Sequence, residues 1–125
     1  MADRQQVTGI GGVFFRARDP EPLAAWYQEH LGVPTQGTYA VFVDNKATVW
    51  AVHAQDTDYW PAAKQGMVNF TVSDLDAMLA QLRAAGVEVD ERVDDSELGR
   101  FGWAFDPEGN RFELWQPAAG LSPPT

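Results

Sequence analysis

The sequence predicts an α+β fold made of two tandem βαβββ modules, and three observations predict it. Val13-Phe-Phe-Arg-Ala-Arg-Asp19 lies over Val68-Asn-Phe-Thr-Val-Ser-Asp74 at an offset of 55, and in both an extended run enters an Asp-containing turn and an amphipathic helix. Asn45-Lys-Ala-Thr-Val-Trp50 lies over Asn110-Arg-Phe-Glu-Leu-Trp115 at an offset of 65, with Asn, the basic residue and Trp coinciding. Phe101 to Gln116 reads as strand, tight turn, strand, because Asp106-Pro107-Glu108-Gly109-Asn110 is dense in turn formers. Each half is too small to close a core of its own, so the two are expected to pack side by side as one domain. The modules are placed at about 7–54 and 66–117 of the single domain 1–125.

The elements follow in order. Met1 to Gln6 is polar and reads as loose. Val7 to Arg18 reads as a strand, with Val13, Phe15 and Ala17 on one face and Gly12, Phe14, Arg16 and Arg18 on the other. Asp19-Pro20-Glu21 is a helix start, with Asp as N-cap, Pro at the first helical position and Glu in the first turn. Leu23, Trp26, Tyr27, His30 and Leu31 follow at helical spacing, so Trp26 and Tyr27 are expected in the core. Gly32 and Pro34 stop the helix. Tyr39 to Val43 is a short strand, Asp44-Asn45-Lys46 a turn, and Ala47 to His53 a strand with Val49 and Ala51 opposite Thr48, Trp50 and Val52. Gln55 to Gly66 is a long loop holding Asp56, Asp58, Tyr59 and Trp60, either a lid or a crossover.

Met67 to Val72 is a strand, with Val68, Phe70 and Val72 opposite Met67, Asn69 and Thr71. Ser73 is expected as the N-cap of a helix that buries Leu75, Met78, Leu79 and Leu82 and ends at Ala84-Ala85-Gly86. Val87 to Val93 is a strand and Asp94 to Gly99 a polar loop. Arg111 to Trp115 sets Phe112 and Leu114 against Arg111, Glu113 and Trp115. Glu113 stands out on that strand; on pattern alone it either faces solvent or a polar pocket. The tail after Pro117 is rich in Pro and Ala and reads as loose.

Bulk properties narrow the function classes. A chain of 125 residues buries roughly two-thirds of its unfolded surface. Hydrophobic content of 45% and five Trp mark a globular chain. Net charge of −9 argues against nucleic acid and anionic membrane as partners and suits a cationic ligand. The absence of Cys removes disulfides, thiolate metal sites and a Cys nucleophile. No apolar run approaches the ~18 residues of a membrane span, and no signal-peptide segment opens the chain. A cytoplasmic location is the default expectation.

Asp106-Pro-Glu-Gly-Asn-Arg-Phe-Glu-Leu-Trp115 resembles the vicinal oxygen chelate superfamily, the group of glyoxalases, bleomycin-resistance proteins and extradiol dioxygenases. So do Val72-Ser-Asp-Leu-Asp-Ala77 with Leu82-Arg-Ala-Ala-Gly86, and Asp19-Pro-Glu-Pro-Leu-Ala-Ala-Trp-Tyr27 with Leu31-Gly32. The resemblance spans about residues 7–117. It implies mixed sheets curved into a cup with the helices on the outside. Metal-dependent members place ligands early in the first strand and on the last strand of each module. The matching positions here are Gly12, Thr48, Met67 and Glu113, of which Glu113 alone suits a divalent cation. A catalytic metal generally takes three protein ligands, so no cofactor is predicted. His30 and His53 lie off these positions and are expected to pack, cap or face solvent.

The concave face is expected to hold Phe14, Arg16, Trp50, Asn69, Thr71, Trp103, Arg111, Glu113 and Trp115. Flat aromatic walls with a few polar groups describe a small-molecule pocket. Arg16 is expected to meet Glu113, a ligand anion or water, because an unpartnered buried guanidinium is costly. The leading expectation is therefore a binder of a small organic molecule without a catalytic metal, similar to bleomycin-resistance proteins, which the resemblance implies is a homodimer. An enzyme is the alternative, either a metal-dependent lyase, isomerase or dioxygenase, or a metal-free one with Glu113 as general base. A third is an interaction module whose aromatics fill the cup.

Overall fold

The computed structural model describes residues 4–43 and 47–119. The turn expected at Asp44-Asn45-Lys46 and most of the tail after Pro117 lie outside the described residues. Ten elements follow the order β1 (Val7–Ala17), α1 (Pro20–Leu31), β2 (Thr35–Gln36), β3 (Tyr39–Val43), β4 (Ala47–Ala54), β5 (Gly66–Val72), α2 (Leu75–Ala84), β6 (Val89–Ser96), β7 (Gly99–Phe105) and β8 (Arg111–Pro117). The strands make a mixed eight-stranded sheet in the order β2-β3-β4-β1-β5-β8-β7-β6, so the fold is α+β. The described residues divide into two compact units, one within Gly12–Met67, the other joining residues 4–11 with residues 68–119.

In the Gly12–Met67 unit, β4 runs parallel to β1 and antiparallel to β3. The register pairs Phe14 with Ala51 and Arg16 with His53. Partners across a ladder share a face, so Phe15 and Ala17 go with Trp50 and Val52. These meet α1 through Ala24, Leu23 and Tyr27. The expected α1 core is corrected in part. Ala24 is the fully buried residue, Tyr27 is half-buried on Trp50, and Trp26 is 49% exposed. Trp26 sits on the flank of the apolar stripe, against the rings of Tyr27 and His30. Asp19 holds the N-cap position without a side-chain cap bond, and Gly32 closes the helix at φ 70°, a left-handed conformation that glycine enters without strain.

In the other unit, β8 lies between β5, to which it is parallel, and β7, to which it is antiparallel. Val72, Leu75, Met78, Leu79 and Leu114 form the core with Phe70, Leu82, Val89, Val93 and Phe112 around them. Burying each of these leucines contributes about 2 kcal/mol. The lack of a side chain at Gly102 lets α2 approach β7, since a Cβ there would stand 3.2 Å from a Leu79 methyl. Asp74, not Ser73, caps α2, its Oδ1 accepting from the Ala77 N–H at 3.1 Å. A carboxylate at that position also complements the helix dipole, which a hydroxyl does not. Gln5 is tied down, although Met1 to Gln6 was expected to be loose. The Gln5 N–H donates to Gln81 Oε1 and Gln81 Nε2 donates to Gln5 O. The polar stretch from Asp94 is also not a loop. β6 runs to Ser96 and pairs with β7 from Gly99, and cross-strand ion pairing of Arg100 with Asp95 offsets the poor strand propensity of the acids.

Candidate functional site

The register of three adjacent strands builds one row of polar side chains. Glu113 on β8 stands opposite Asn69 on β5 and opposite Trp103 on β7. All three are buried, Glu113 to 2% exposure. The expectation of a solvent-facing Glu113 is thereby set aside. Burial of a carboxylate demands donors, and the row supplies them. Asn69 Nδ2 donates to Glu113 Oε1 at 2.5 Å and Trp103 Nε1 donates to Oε2 at 2.9 Å.

Two residues along on the same face, Thr71, Trp115 and Phe101 form the next row. Trp115 stacks on Phe101 with ring centroids 5.7 Å apart and donates its Nε1–H to the Leu98 carbonyl. Thr71 Oγ1 meets Thr8 Oγ1 at 2.8 Å. On the other flank, Arg111 lies over the Trp103 ring at 5.0 Å and pairs with Asp90 at 3.0 Å, and Arg92 lies over the same ring at 5.4 Å. The Asp90 carboxyl is held below its usual range first by the backbone N–H of Arg92, with Arg111 adding to that and burial opposing it.

Asn69 places its other amide atom under an unusual constraint. Its Oδ1 is buried without a hydrogen-bond partner, and a Cβ added at Gly11 would lie 2.0 Å from it. Gly11 is thus the residue that leaves room for the Asn69–Glu113 bond. Gly11, Phe101, Asp90 and Arg92 fall in stretches expected as strands, but nothing in the sequence pattern gave them a role at this site, which depends on the register between strands.

Phe14, Arg16 and Trp50 belong to the Gly12–Met67 unit, and there the expectations are corrected. Trp50 does not share a face with Phe14 and Arg16. It packs edge-on against Phe15 and Tyr27, on the α1 side. The parallel register puts His53 on the face of Phe14 and Arg16 instead, with Phe14 and His53 rings 5.4 Å apart. Among the described residues Arg16 pairs with no acid. Its guanidinium donates to five backbone carbonyls, those of Gln55, Thr57, Trp60, Pro61 and Lys64, at 2.8–3.1 Å. It also lies over the Trp60 ring at 5.1 Å. Trp60, 2% exposed, donates its own Nε1–H to Lys64 O. The 55–65 loop is therefore pinned by Arg16.

The described side chains at the positions Gly12, Thr48, Met67 and Glu113 do not fit a divalent metal. Among the described residues no three His, Asp or Glu side chains gather as a metal-holding group. Both Glu113 oxygens already accept neutral N–H donors. At Gly12 even a Cβ would lie 2.7 Å from Val49 O, so a ligand side chain has no room. Thr48 falls on the face of Trp50, and Met67 is a buried thioether. Among the described residues no helix is long and apolar enough to cross a membrane.

With this geometry the chain matches, over residues 12–115, the family model described as a glyoxalase-like domain. The chain belongs to that family. Through it the chain is part of the vicinal oxygen chelate superfamily. Among curated proteins none matches it. Among solved structures, the glyoxalase-like chain resembles a methylmalonyl-CoA epimerase from Mycobacterium tuberculosis at 26% identity and a TM-score of 0.72, covering 97% of this chain and 95% of that one. It also resembles a Streptomyces coelicolor methylmalonyl-CoA epimerase in complex with 2-nitronate-propionyl-CoA at 21% identity and a TM-score of 0.70, covering 91% and 100%. A Mn(II)-bound glyoxalase from Novosphingobium aromaticivorans is similar at 21% identity and a TM-score of 0.68, over 98% of this chain and 43% of that one. The last two likenesses concern the fold alone.

Proposed function

We propose that this glyoxalase-like domain binds a small organic molecule at the Glu113 row, without a catalytic metal. The observation that carries the reading is the buried Glu113 carboxylate held by two neutral N–H donors, Asn69 Nδ2 and Trp103 Nε1. A carboxylate so held is a fixed acceptor. A ligand with an N–H group or a positive charge would strengthen its environment, and entry beside it would require the buried indoles of Trp103 and Trp115 to part and then flank the ligand. The net charge of −9 favours a cationic ligand through steering. Thr71 and Arg111 border the row and orient the ligand's polar groups. The homodimer implied by the family resemblance and a cytoplasmic location belong to the same proposal.

Tryptophan fluorescence and thermal unfolding with bleomycin and with methylmalonyl-CoA test the reading. A ligand that binds the folded state raises the midpoint by mass action. The expected result is a rise with an organic probe that Glu113→Ala abolishes. A rise with Mn(II) reversed by EDTA, and none with either organic probe, overturns it.

A second reading is favoured by the 26% identity to a methylmalonyl-CoA epimerase. In it Glu113 acts as a metal-free general base that removes a proton next to a thioester carbonyl. Incubation with methylmalonyl-CoA in D2O distinguishes the two. Deuterium entry that Glu113→Gln abolishes supports the base, and binding without exchange supports the binder.

A further inference from the structure

Strand β3 leaves part of its outer edge without a neighbour. On the inner side its pairing is continuous: the Val52 N–H donates to Thr38 O, and the ladder with β4 runs from Tyr39–Ala51 to Val43–Ala47. Successive residues of a strand turn their backbone groups alternately to the two sides. Thr38, Ala40 and Phe42 therefore direct theirs to β4, and Tyr39, Val41 and Val43 direct theirs outward. Outward of β3 the sheet has β2 alone, which is two residues long and pairs at Tyr39 and Ala40. Pro34 stands immediately before it, and a residue without an N–H does not extend a ladder. Among the described residues no strand lies opposite Val41 or Val43 on that side.

The side chains at this edge are apolar and uncharged. Val41, Phe42 and Val43 are 37–44% exposed, the two valines toward one face of the sheet and Phe42 toward the other. The strand at the other end of the order is different. β6 carries Asp90, Glu91, Arg92, Asp94 and Asp95, and its register shifts between Val89 and Val93. Charge and irregularity of this kind keep other strands from adding to an edge. Val41 to Val43 has neither.

We propose that the Val41–Val43 edge docks a second copy of this chain, strand to strand, across a twofold axis at Phe42. The order Val-Phe-Val reads the same in both directions. Antiparallel pairing about Phe42 sets Val41 of each copy opposite Val43 of the other. These are the residues whose N–H and C=O face outward, so each pair exchanges two hydrogen bonds, four in all. Phe42 meets its own copy at the axis, where opposite side chains come closest and an aromatic pair adds to the ladder. A net charge of −9 sets copies of the chain against one another. Ala40 to Val43 carry none of that charge, so no like charges are opposed across the ladder. Three residues a side bury less than the ~1,200 Å2 of a permanent interface, so the dimer belongs to the weak, concentration-dependent class. The inference does not rest on the Glu113 reading; it supplies a surface for the homodimer named with it.

Sedimentation velocity of the full chain over about 5–500 μM tests it. The wild type is expected to pass from monomer to dimer as concentration rises. Phe42→Lys opposes like charges at the axis. Val43→Pro removes an outward N–H at an edge position, where proline is tolerated. Both variants should stay monomeric over the same range, with a thermal midpoint at low concentration close to that of the wild type. A wild type that stays monomeric overturns the inference together with the homodimer of the proposed function. A dimer that persists in either variant overturns the inference alone and leaves a homodimer on another surface. Should the variants not fold, amide hydrogen exchange of the wild type decides. Protection of the Val41 and Val43 N–H groups that rises with concentration supports the edge; protection that does not change with concentration overturns it. Binding at Glu113 is read separately, by ligand-induced stabilisation, so either reading can fail without the other.

Discussion

Gly11→Ala is the substitution from which the most follows. The added methyl would lie 2.0 Å from Asn69 Oδ1 and 3.0 Å from Trp115 Cε3. Real Cβ atoms do not approach so closely, so the Asn69 side chain must leave. Its departure breaks the bond to Glu113 Oε1 and leaves one oxygen of a buried carboxylate short of a donor. A hydrogen bond to a charged partner contributes about 1.5–3 kcal/mol, and overpacking a core adds about 1–3 kcal/mol. The expected loss is about 3–4 kcal/mol, read as a fall in the urea midpoint at constant m-value. In thermal unfolding it amounts to a drop of roughly 10 °C for a domain of this size. The decisive assay is a double-mutant cycle with Asn69→Ala. That background has already removed the obstructing oxygen and lost the bond, so Gly11→Ala should cost there only about 1 kcal/mol of residual crowding against Trp115. An equal cost of Gly11→Ala in both backgrounds would falsify the claim that Gly11 exists to seat Asn69.

Other predictions concern separate parts of the molecule. Arg16→Met should destabilise the protein by about 3 kcal/mol and open the 55–65 loop to protease, because five carbonyls lose a charged donor. Arg16→Lys should restore little, since an ammonium has three donors and no planar fork; full recovery of protease resistance in the lysine variant would contradict this. Glu113→Gln places an amide NH2 against one of two N–H donors and should lower the unfolding free energy by about 1–3 kcal/mol in urea titration. Asp74→Ala should cost about 1 kcal/mol through the lost α2 cap, whereas Ser73→Ala should be close to neutral; the reverse order would restore Ser73 as the cap. Asp90, whose carboxyl is held below its ordinary value near 3.8, stabilises the fold above that value and loses its contribution as the pH falls; acid titration of Asp90→Asn should show a shallower loss than the wild type.

What could be read from the sequence follows from the kind of signal each feature leaves. Helices and most strands announce themselves by periodicity and turn formers, so α1, α2, β3, β5 and β8 stand close to where they were expected. Partnership across a sheet leaves no such mark. The alternation along β4 separated Val49 and Ala51 from Trp50, but which set faces α1 depends on the parallel register with β1. One residue of offset turns Trp50 away from Phe14 and brings His53 in. Glu113, Asn69 and Trp103 were each singled out from sequence, yet their hydrogen-bonded row is visible only once β5, β8 and β7 are aligned. Arg16 was expected to meet Glu113, a ligand anion or water, because an unpartnered buried guanidinium is costly. Backbone carbonyls of a loop serve as well, and nothing in their sequence marks them as a receptor.

The turn between β7 and β8 carries a consequence for how the chain begins to fold. Asp106 gathers three donors, the N–H groups of Glu108 and Asn110 and the Asn110 side-chain amide, while its own N–H donates to Asn110 O. The ladder that follows pairs seven residues of each strand, from Phe105 with Arg111 to Gly99 with Pro117. Every partner is near in sequence, so closing this hairpin costs little loop entropy compared with the parallel pairing of β5 and β8 across α2. Its tip is organised before any distant strand arrives. The hairpin is thereby the natural nucleus, and Asp106→Ala should slow folding more than it speeds unfolding, with a φ-value of about 0.7 or more.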